Sequence, residues 1–407
     1  MCFLSTDLKQ VNLYLNLLVY KGGKVMDLKR TADVVIVGGG VIGCAVAYNL
    51  AKRGCRNVIV LEKSYITSGS TGRCGAGIRA QWGTEMNCRF GIASIEIFEH
   101  LEEELALPIG LHQGGYLVIA YKESEFEQLK KNVALQNSLG IKSKVISAEE
   151  AKEIVPILNT DGAVGFTFHD RDGHGDPFLT TFAYAEAARR LGVQIYTYTE
   201  VKDIIVENGK VKGVVTDRGE ISAPVVVNCA GPWSKEVAKM AGISIPTYSE
   251  RHEALITEPV NRISEPMLIS FTGNFYIQQR PHGSFIMGYG PEEHEETHKV
   301  NSTWIFLEEM AHKLSNLLPP TKDLRVVRQW AGSYNMTPDA QPIVGGVDEV
   351  EGYYMAVGFS GHGYMFGPIT GVLMSQLILG EELELPIDML SYKRFERGEL
   401  IMEPAVV

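Results

Sequence analysis

Glycines at positions 38, 40 and 43, in the spacing G-x-G-x-x-G, are followed nineteen residues later by an acidic side chain, Glu62. That pattern suits a dinucleotide for separable reasons. Gly38 makes a tight turn, Gly40 lets the backbone approach a pyrophosphate, and Gly43 lets a helix pack closely on a strand. The pyrophosphate then rests at the helix N-terminus, opened here by Val41 and Ile42, where free N–H groups and the helix dipole favour an anion. Glu62 stands where a carboxylate accepts hydrogen bonds from ribose hydroxyls, with Lys63 beside it. The motif indicates a dinucleotide without separating FAD from NAD. No second copy of this kind follows, which disfavours a reductase with a separate NAD domain.

A second stretch, "SGSTGRCGAGIRAQWG" (68–83), holds five glycines and two arginines, Arg73 and Arg79, with little to bury. Such backbone freedom is entropically unfavourable unless something must come close to the main chain. A third, "HDRDGHGDP" (169–177), groups two histidines with three aspartates and invites a metal. Asp176 is accounted for as a helix N-cap and the glycines around His174 mark a loop, so no metal is expected. The six cysteines, at 2, 44, 55, 74, 88 and 229, show no C-x-x-C spacing. They read as reduced structural thiols of a cytoplasmic protein, neither a disulfide framework nor a zinc or iron–sulfur site. Neither a Ser-His-Asp order nor H-E-x-x-H is present, and hydrolytic chemistry has no support.

These residues need elements to hold them. "DVVIVGGGVIGCAVAYNLAKRGCRNVIVLEK" (33–63) predicts strand, turn, helix, strand, its first strand apolar throughout as one buried on both faces should be. "GDPFLTTFAYAEAARRLG" predicts a helix with Asp176 as N-cap, Pro177 in the first turn and Gly192 past the end. Residues 193–234 read as short strands with a hairpin at Asn208-Gly209. "HEALITEP", "NFYIQQRP" and "SFIMGYG", joined by residues 111–121, predict a half-buried antiparallel sheet that carries His252 and Tyr276. Each of those two either contacts a substrate or shapes a pocket, with an ordinary core or surface role equally open. Helices are expected over 86–105 and 302–318, and 353–380 reads as strand, glycine turn and helix. The 407 residues are 45% apolar and 21% charged, with a net charge of −11. That length implies two or three domains, and the acidic balance excludes nucleic-acid binding. The run Val11–Tyr20 is too short to span roughly 30 Å of hydrocarbon and lacks signal-peptide flanks; it reads as a loosely attached extension, with Met1 and Met26 both candidate starts.

From about residue 32 to 398, this order of elements resembles the FAD-dependent amine and amino-acid oxidoreductases of the D-amino-acid oxidase superfamily. "GSTGRCGAGIR", "TPDAQPIVG", "GFSGHGYM" and "YKRFERGEL" are most similar to the β-subunit group of dye-linked L-proline dehydrogenases. The resemblance implies that Ser68, Ser70 and Thr71 lie along the pyrophosphate and flavin. It brings Gly358, Ser360, Gly361, His362, Gly363 and Tyr364 to the flavin from the other side, where the helix start stabilises negative charge. Val201 matches the position whose backbone holds the adenine, and Ala230 and Gly231 approach the ribose and phosphates. Arg79 matches the arginine that sarcosine oxidase uses to hold a substrate carboxylate, a bidentate task suited to a guanidinium. No role for Arg73 follows. The register of His174 is off by one from a histidine that carries FMN in some heterotetrameric relatives, so no covalent flavin is expected.

Three departures qualify that likeness. Tyr334 stands where glycine oxidase keeps its carboxylate-binding arginine, and Met365 where sarcosine oxidase supplies a second cation. Ile286 falls near the lysine that promotes oxygen reduction, and losing a cation there favours a dehydrogenase. The expected fold is α/β (α+β): a Rossmann-like FAD-binding domain (31–110, 147–235, 326–398) interleaved with an antiparallel-sheet substrate domain (111–146, 236–325), between an extension (1–30) and a tail (399–407). The expected activity is oxidation of the C–N bond of a small amino acid, a secondary amine such as L-proline or sarcosine, by hydride transfer from Cα to flavin N5. An oxygen-using glycine or sarcosine-type oxidase and a non-catalytic electron-transfer subunit are the alternatives. Arg79, His252, Tyr276 and His362 are the candidate catalytic residues. The subgroup further implies a partner chain bearing redox centres, with FMN at the subunit interface.

Overall fold

Four consecutive β-branched residues, all buried, make Val34–Val37 a central strand. In the computed structural model, which describes residues 27–290 and 295–404, it lies in a six-stranded sheet. The order is Ile343–Gly346, Tyr353–Val357, Val225–Asn228, Val34–Val37, Val58–Leu61, Gln194–Tyr196. All neighbours are parallel except the edge strand Ile343–Gly346. The run Val11–Tyr20 and Met26 lie outside the described residues.

Alternation along the strand sorts side chains into two cores. Val34 and Ile36 pack under helices Val41–Lys52, Pro177–Arg190 and Gly363–Leu379. Val35 and Val37 face the opposite layer, a three-stranded sheet (Val201–Glu207, Lys210–Thr216, Gly219–Ser222) and helix Ser234–Met240. The first and last of the three helices cross at close range. A Cβ on Gly371 would stand 2.8 Å from that of Ala45, and one on Gly367 would stand 3.2 Å from Val41 Cγ2. This contact brings two helix N-termini, at Val41 and Gly363, to one end of the sheet.

The second sheet has eight strands, in the order Val326–Met336, Tyr248–Thr257, Phe285–Tyr289, Phe275–Gln279, Met267–Ser270, Tyr116–Ala120, Gly165–His169, Lys144–Ile146. It is antiparallel apart from one parallel pair, Met267–Ser270 on Tyr116–Ala120. Helix Trp304–Leu317 covers one face through Phe306, Met310 and Leu314. Two strands enter this sheet from segments that the sequence division grouped with the nucleotide-binding domain: Gly165–His169 from 147–235, and Val326–Met336 from 326–398. Pairing partners fixed by tertiary contact, which a local pattern does not carry, account for the difference.

Several local signals act as their chemistry requires. Asp176 accepts from the N–H groups of Phe178 and Leu179 at 2.9 and 3.0 Å and starts its helix. Asn208 and Gly209 both have positive φ, 52° and 72°, in a tight hairpin. Helices Glu85–Leu105 and Trp304–Leu317 stand where periodicity places them. Helix Glu123–Ser138 was not anticipated. Its buried face, Leu129, Asn132, Val133 and Gln136, is half amide, so the apolar stripe that signals a helix is thin.

Candidate active site

A groove of about 310 Å³ opens where the two helix N-termini meet the end of the parallel sheet. Gly38 has φ +114°, and a Cβ there would lie 2.3 Å from the carbonyl oxygen of Cys229. The helix behind it is capped by Gly40 without a side-chain bond and has no acid in its first turn. Gly38, Gly40, Val41 and Ile42 line the groove, so anion-binding backbone faces it. Glu62, buried at the end of the second strand, accepts from Gly39 N–H at 2.8 Å, Ser64 N–H at 2.8 Å and Ser68 Oγ at 3.1 Å. It therefore holds the glycine turn as well as facing the groove.

The opposite wall is the glycine-rich loop, with Ser68, Ser70 and Thr71 in the lining. Thr71 Oγ1 accepts from Val41 N–H at 3.1 Å, and Ser70 Oγ donates to the Ser333 carbonyl at 2.5 Å. Arg73 now has a role: its guanidinium donates to the carbonyls of Ser68 and Gly69, while Trp330 Nε1 donates to its own carbonyl at 2.9 Å. It staples the loop in place. Lys63, Val201, Ala230 and Gly231 line the far end. There Lys63 Nζ sits 3.2 Å from the centroid of Trp233, a residue that sequence reading passed over in "GPWS". Ser360, Gly361, Gly363 and Tyr364 close the other side. Gly43 and Gly358 do not line the groove. A Cβ on Gly43 would meet Gly38 O at 2.1 Å, and one on Gly358 would meet Thr337 Cγ2 at 2.5 Å, so both serve packing behind the wall.

A smaller cavity of about 80 Å³ adjoins the groove, and Cys74, Tyr334, Gly361 and Tyr364 line both. Arg79, His252, Tyr276 and His362 all line it, His252 and Tyr276 from two strands and Arg79 and His362 from two loops. Met365 lines it too, and Ile286 lines neither cavity. The buried Arg79 guanidinium lies 3.9 Å from the Trp82 ring centroid. Burial draws its pKa down while Tyr116, Glu403 and Asp172 oppose the shift; a guanidinium stays charged regardless. His362 stands edge-on to Trp82 at 4.6 Å, and its Nδ1 has no hydrogen-bond partner among the described residues. His252 Nε2 meets Glu250 Oε1 at 2.8 Å, and its ring stacks on Tyr334 at 3.6 Å. Burial keeps the Tyr276 phenol protonated. One cation, a neutral imidazole, a carboxylate-bound imidazole and phenol groups thus surround a space fit for a small zwitterion.

A basic cluster lies outside both cavities' linings. Arg280 donates to His174 Nδ1 at 2.8 Å and to the Gly175 carbonyl at 2.7 Å. His112 packs 5.1 Å from His174 and contacts Arg262. The buried His174 Nε2 has no partner among the described residues. The five described cysteines are free, and burial pushes the thiols of Cys44, Cys74 and Cys88 up to about 12.

Two imidazoles make acid stability measurable. Burial, then Arg79, pushes His362 down to about 3; burial, then Arg280 and His112, pushes His174 down to about 2. Both folded pKa values lie below the unfolded value of about 6.5. Below pH 6.5 the unfolded chain alone gains these protons, so stability is lost as pH falls, by about 2–3 kcal/mol per unit for two such groups. The melting temperature of the apoprotein is expected to drop between pH 6.5 and 5, above the main carboxylate range. His169, whose pKa is raised beside Asp172, offsets part of this loss, and His112 and His282, both lowered by burial, add to it; a flat response across that window would contradict the buried neutral state of both rings.

Known proteins share this arrangement. The family described as DAO, FAD dependent oxidoreductase, matches residues 33–377. The crystal structure of L-proline dehydrogenase from P. horikoshii superposes with a TM-score of 0.88 at 39% identity, covering 92% of this chain and 100% of that one. Sarcosine oxidase subunit beta from Rhodobacter capsulatus is 28% identical over 380 residues, which is 92% of this chain and 91% of that protein. Mitochondrial dimethylglycine dehydrogenase from Rattus norvegicus is 29% identical over 378 residues, 87% of this chain but 44% of that longer protein. Among the described residues no helix is long and apolar enough to cross a membrane. The family match runs from the first strand of the parallel sheet into the last long helix, across every wall of the groove. The chain belongs to the DAO family of FAD-dependent oxidoreductases, and FAD is its cofactor.

Proposed function

We propose that this protein is a dehydrogenase that oxidises the C–N bond of a small amino acid, a secondary amine such as L-proline or sarcosine. The observation that carries the reading is Arg79, a buried cation in a cavity of about 80 Å³ that opens onto the cofactor groove. FAD, when bound, supplies the hydride acceptor. The chain's own residues bind and orient. Arg79 takes the substrate carboxylate through paired N–H donors. Tyr276, Tyr116 and Met267 wall the side-chain end and exclude water. His362, neutral at working pH, faces the cavity without adding a second positive charge. L-proline dehydrogenase at 39% identity and a sarcosine oxidase subunit at 28% both support amino-acid chemistry.

The test is an anaerobic titration of the holoprotein with L-proline, sarcosine, dimethylglycine and glycine, following flavin absorbance. Bleaching by a secondary amine is expected; no bleaching by any of them would overturn the reading. The choice of dehydrogenase over oxidase rests on the small cavity, whose described lining holds no lysine; Ile286, which the resemblance sets near the oxidase lysine, lines neither cavity. Reduced holoprotein mixed with air-saturated buffer should reoxidise slowly, and a dye should reoxidise it readily. Rapid stoichiometric peroxide would instead make the chain an oxidase.

The same reading includes a partner subunit. Arg262 and Arg280 flank the imidazoles of His112 and His174, each arginine already near a carboxylate, Glu265 and Asp176; the two guanidiniums are the groups that would meet the phosphate of a second flavin, FMN, at an interface. Five free, largely buried thiols suit a reducing compartment such as the cytoplasm, and leave iron–sulfur chemistry to another chain. Protein purified from its native source should carry a second chain and FMN besides FAD; a lone homo-oligomer containing only FAD would remove the partner.

A further inference from the structure

The loop bearing Arg79 is gripped from both sides by carboxylates that come from distant parts of the chain. Asp172, wholly buried, accepts from Ala80 N–H at 2.8 Å and from Gln81 Nε2 at 3.1 Å. Its Oδ1 also meets His169 Nδ1 at 2.7 Å. Burial depresses that imidazole's pKa, but Asp172 outweighs it and the net shift is upward. Gln81 is itself tied to the Tyr116 carbonyl at 3.0 Å and to Thr167 Oγ1 at 2.9 Å.

On the other side stands Glu403, in the C-terminal tail. It accepts from Gly83 N–H at 2.7 Å, Thr84 Oγ1 at 2.8 Å, Thr84 N–H at 3.2 Å and Asn87 Nδ2 at 2.8 Å. These bonds brace the N-cap of helix Glu85–Leu105, where Thr84 Oγ1 accepts from Asn87 N–H, and that helix presses on the arginine's own backbone: a Cβ on Gly91 would lie 2.7 Å from Arg79 O. The tail is anchored in turn, because Ile401 N–H donates at 3.2 Å to Asp339, which is paired with buried Arg394. Both Asp172 and Glu403 act electrostatically on the Arg79 guanidinium. Neither lines the small cavity.

We infer that Asp172 and Glu403 are positioning residues for Arg79, so that substrate binding depends on the C-terminal tail. The inference rests on the reading of Arg79 as the carboxylate site. A guanidinium displaced by an ångström loses paired contact with a carboxylate, a misplacement that costs up to about a hundredfold in related settings.

The test uses holoenzyme carrying Glu403→Ala, Asp172→Asn and, in parallel, Arg79→Lys. Two quantities are read: KM for the amino acid that bleaches the flavin, and the dissociation constant of pyrrole-2-carboxylate from the flavin absorbance shift. Glu403→Ala is expected to raise both by roughly tenfold or more, with kcat and FAD content held within about twofold. Asp172→Asn should act in the same direction; if it fails to fold, Glu403→Ala decides. Wild-type binding in Glu403→Ala, alongside weakened binding in Arg79→Lys, overturns this inference and spares the carboxylate site. Unchanged binding in Arg79→Lys overturns both. Loss of FAD in proportion to the loss of binding would reduce Glu403 to a structural brace and also overturn it.

Discussion

Arg79→Lys is expected to lower kcat/KM by about 2–3 kcal/mol, roughly 30- to 150-fold, with the loss falling mainly on KM. Lysine keeps the positive charge but offers a point donor in place of a planar fork, which is not conservative where two parallel hydrogen bonds hold a carboxylate. The site magnifies the change. The guanidinium carbon lies over the Trp82 ring, 3.9 Å from its centroid, a contact that a tetrahedral ammonium replaces poorly. The side chain is also buried, so water does not fill the lost donor positions at no cost. FAD content should stay near wild type, since Arg79 lines the small cavity and not the groove. Unchanged steady-state kinetics would remove Arg79 from the substrate site.

That residue was singled out before the fold by the resemblance to sarcosine oxidase, which matches an arginine in a glycine-rich loop following the acidic ribose position; its own spacing assigns it no ligand. The nucleotide unit was legible in its own residues, since one strand, one turn and one helix in sequence perform the whole task. Its supports were not. Asp172 looked like part of a metal motif, yet it serves the backbone N–H of Ala80, and a backbone donor has no sequence signature. Glu403 sits more than three hundred positions from the residues it braces. Tyr334 was read as a lost arginine; in the fold it joins both cavities and stacks on His252. Gly165–His169 is too short for its sheet to be named from its own residues, and only pairing with Tyr116–Ala120 assigns it. Local chemistry was readable where neighbours in sequence are neighbours in space, and unreadable where a partner arrives through tertiary packing.

Gly40→Val is expected to abolish FAD binding while leaving the apoprotein folded. The backbone at Gly40 is extended, with φ −81° and ψ −178°, so any residue adopts it without strain. A Cβ built there meets only Thr71 Oγ1, at 3.1 Å, and otherwise enters the groove. The side chain would thus occupy the space through which a pyrophosphate approaches the helix N-terminus, and would turn Thr71 from its bond to Val41 N–H. Each 1.4 kcal/mol of lost contact weakens binding about tenfold, and exclusion of a phosphate from its anion site removes several such increments. Gly43→Val makes the contrasting control. There a Cβ would lie 2.1 Å from the carbonyl oxygen of Gly38, a backbone atom that cannot step aside, so the strand–helix unit itself should fail. Wild-type protein should be yellow and release its chromophore into the supernatant on acid precipitation, as a non-covalent flavin does. Gly40→Val should purify colourless with an apoprotein melting temperature close to that of deflavinated wild type, and Gly43→Val should lose soluble, cooperatively melting protein. Full flavin content in Gly40→Val would mean that the pyrophosphate does not rest on this helix.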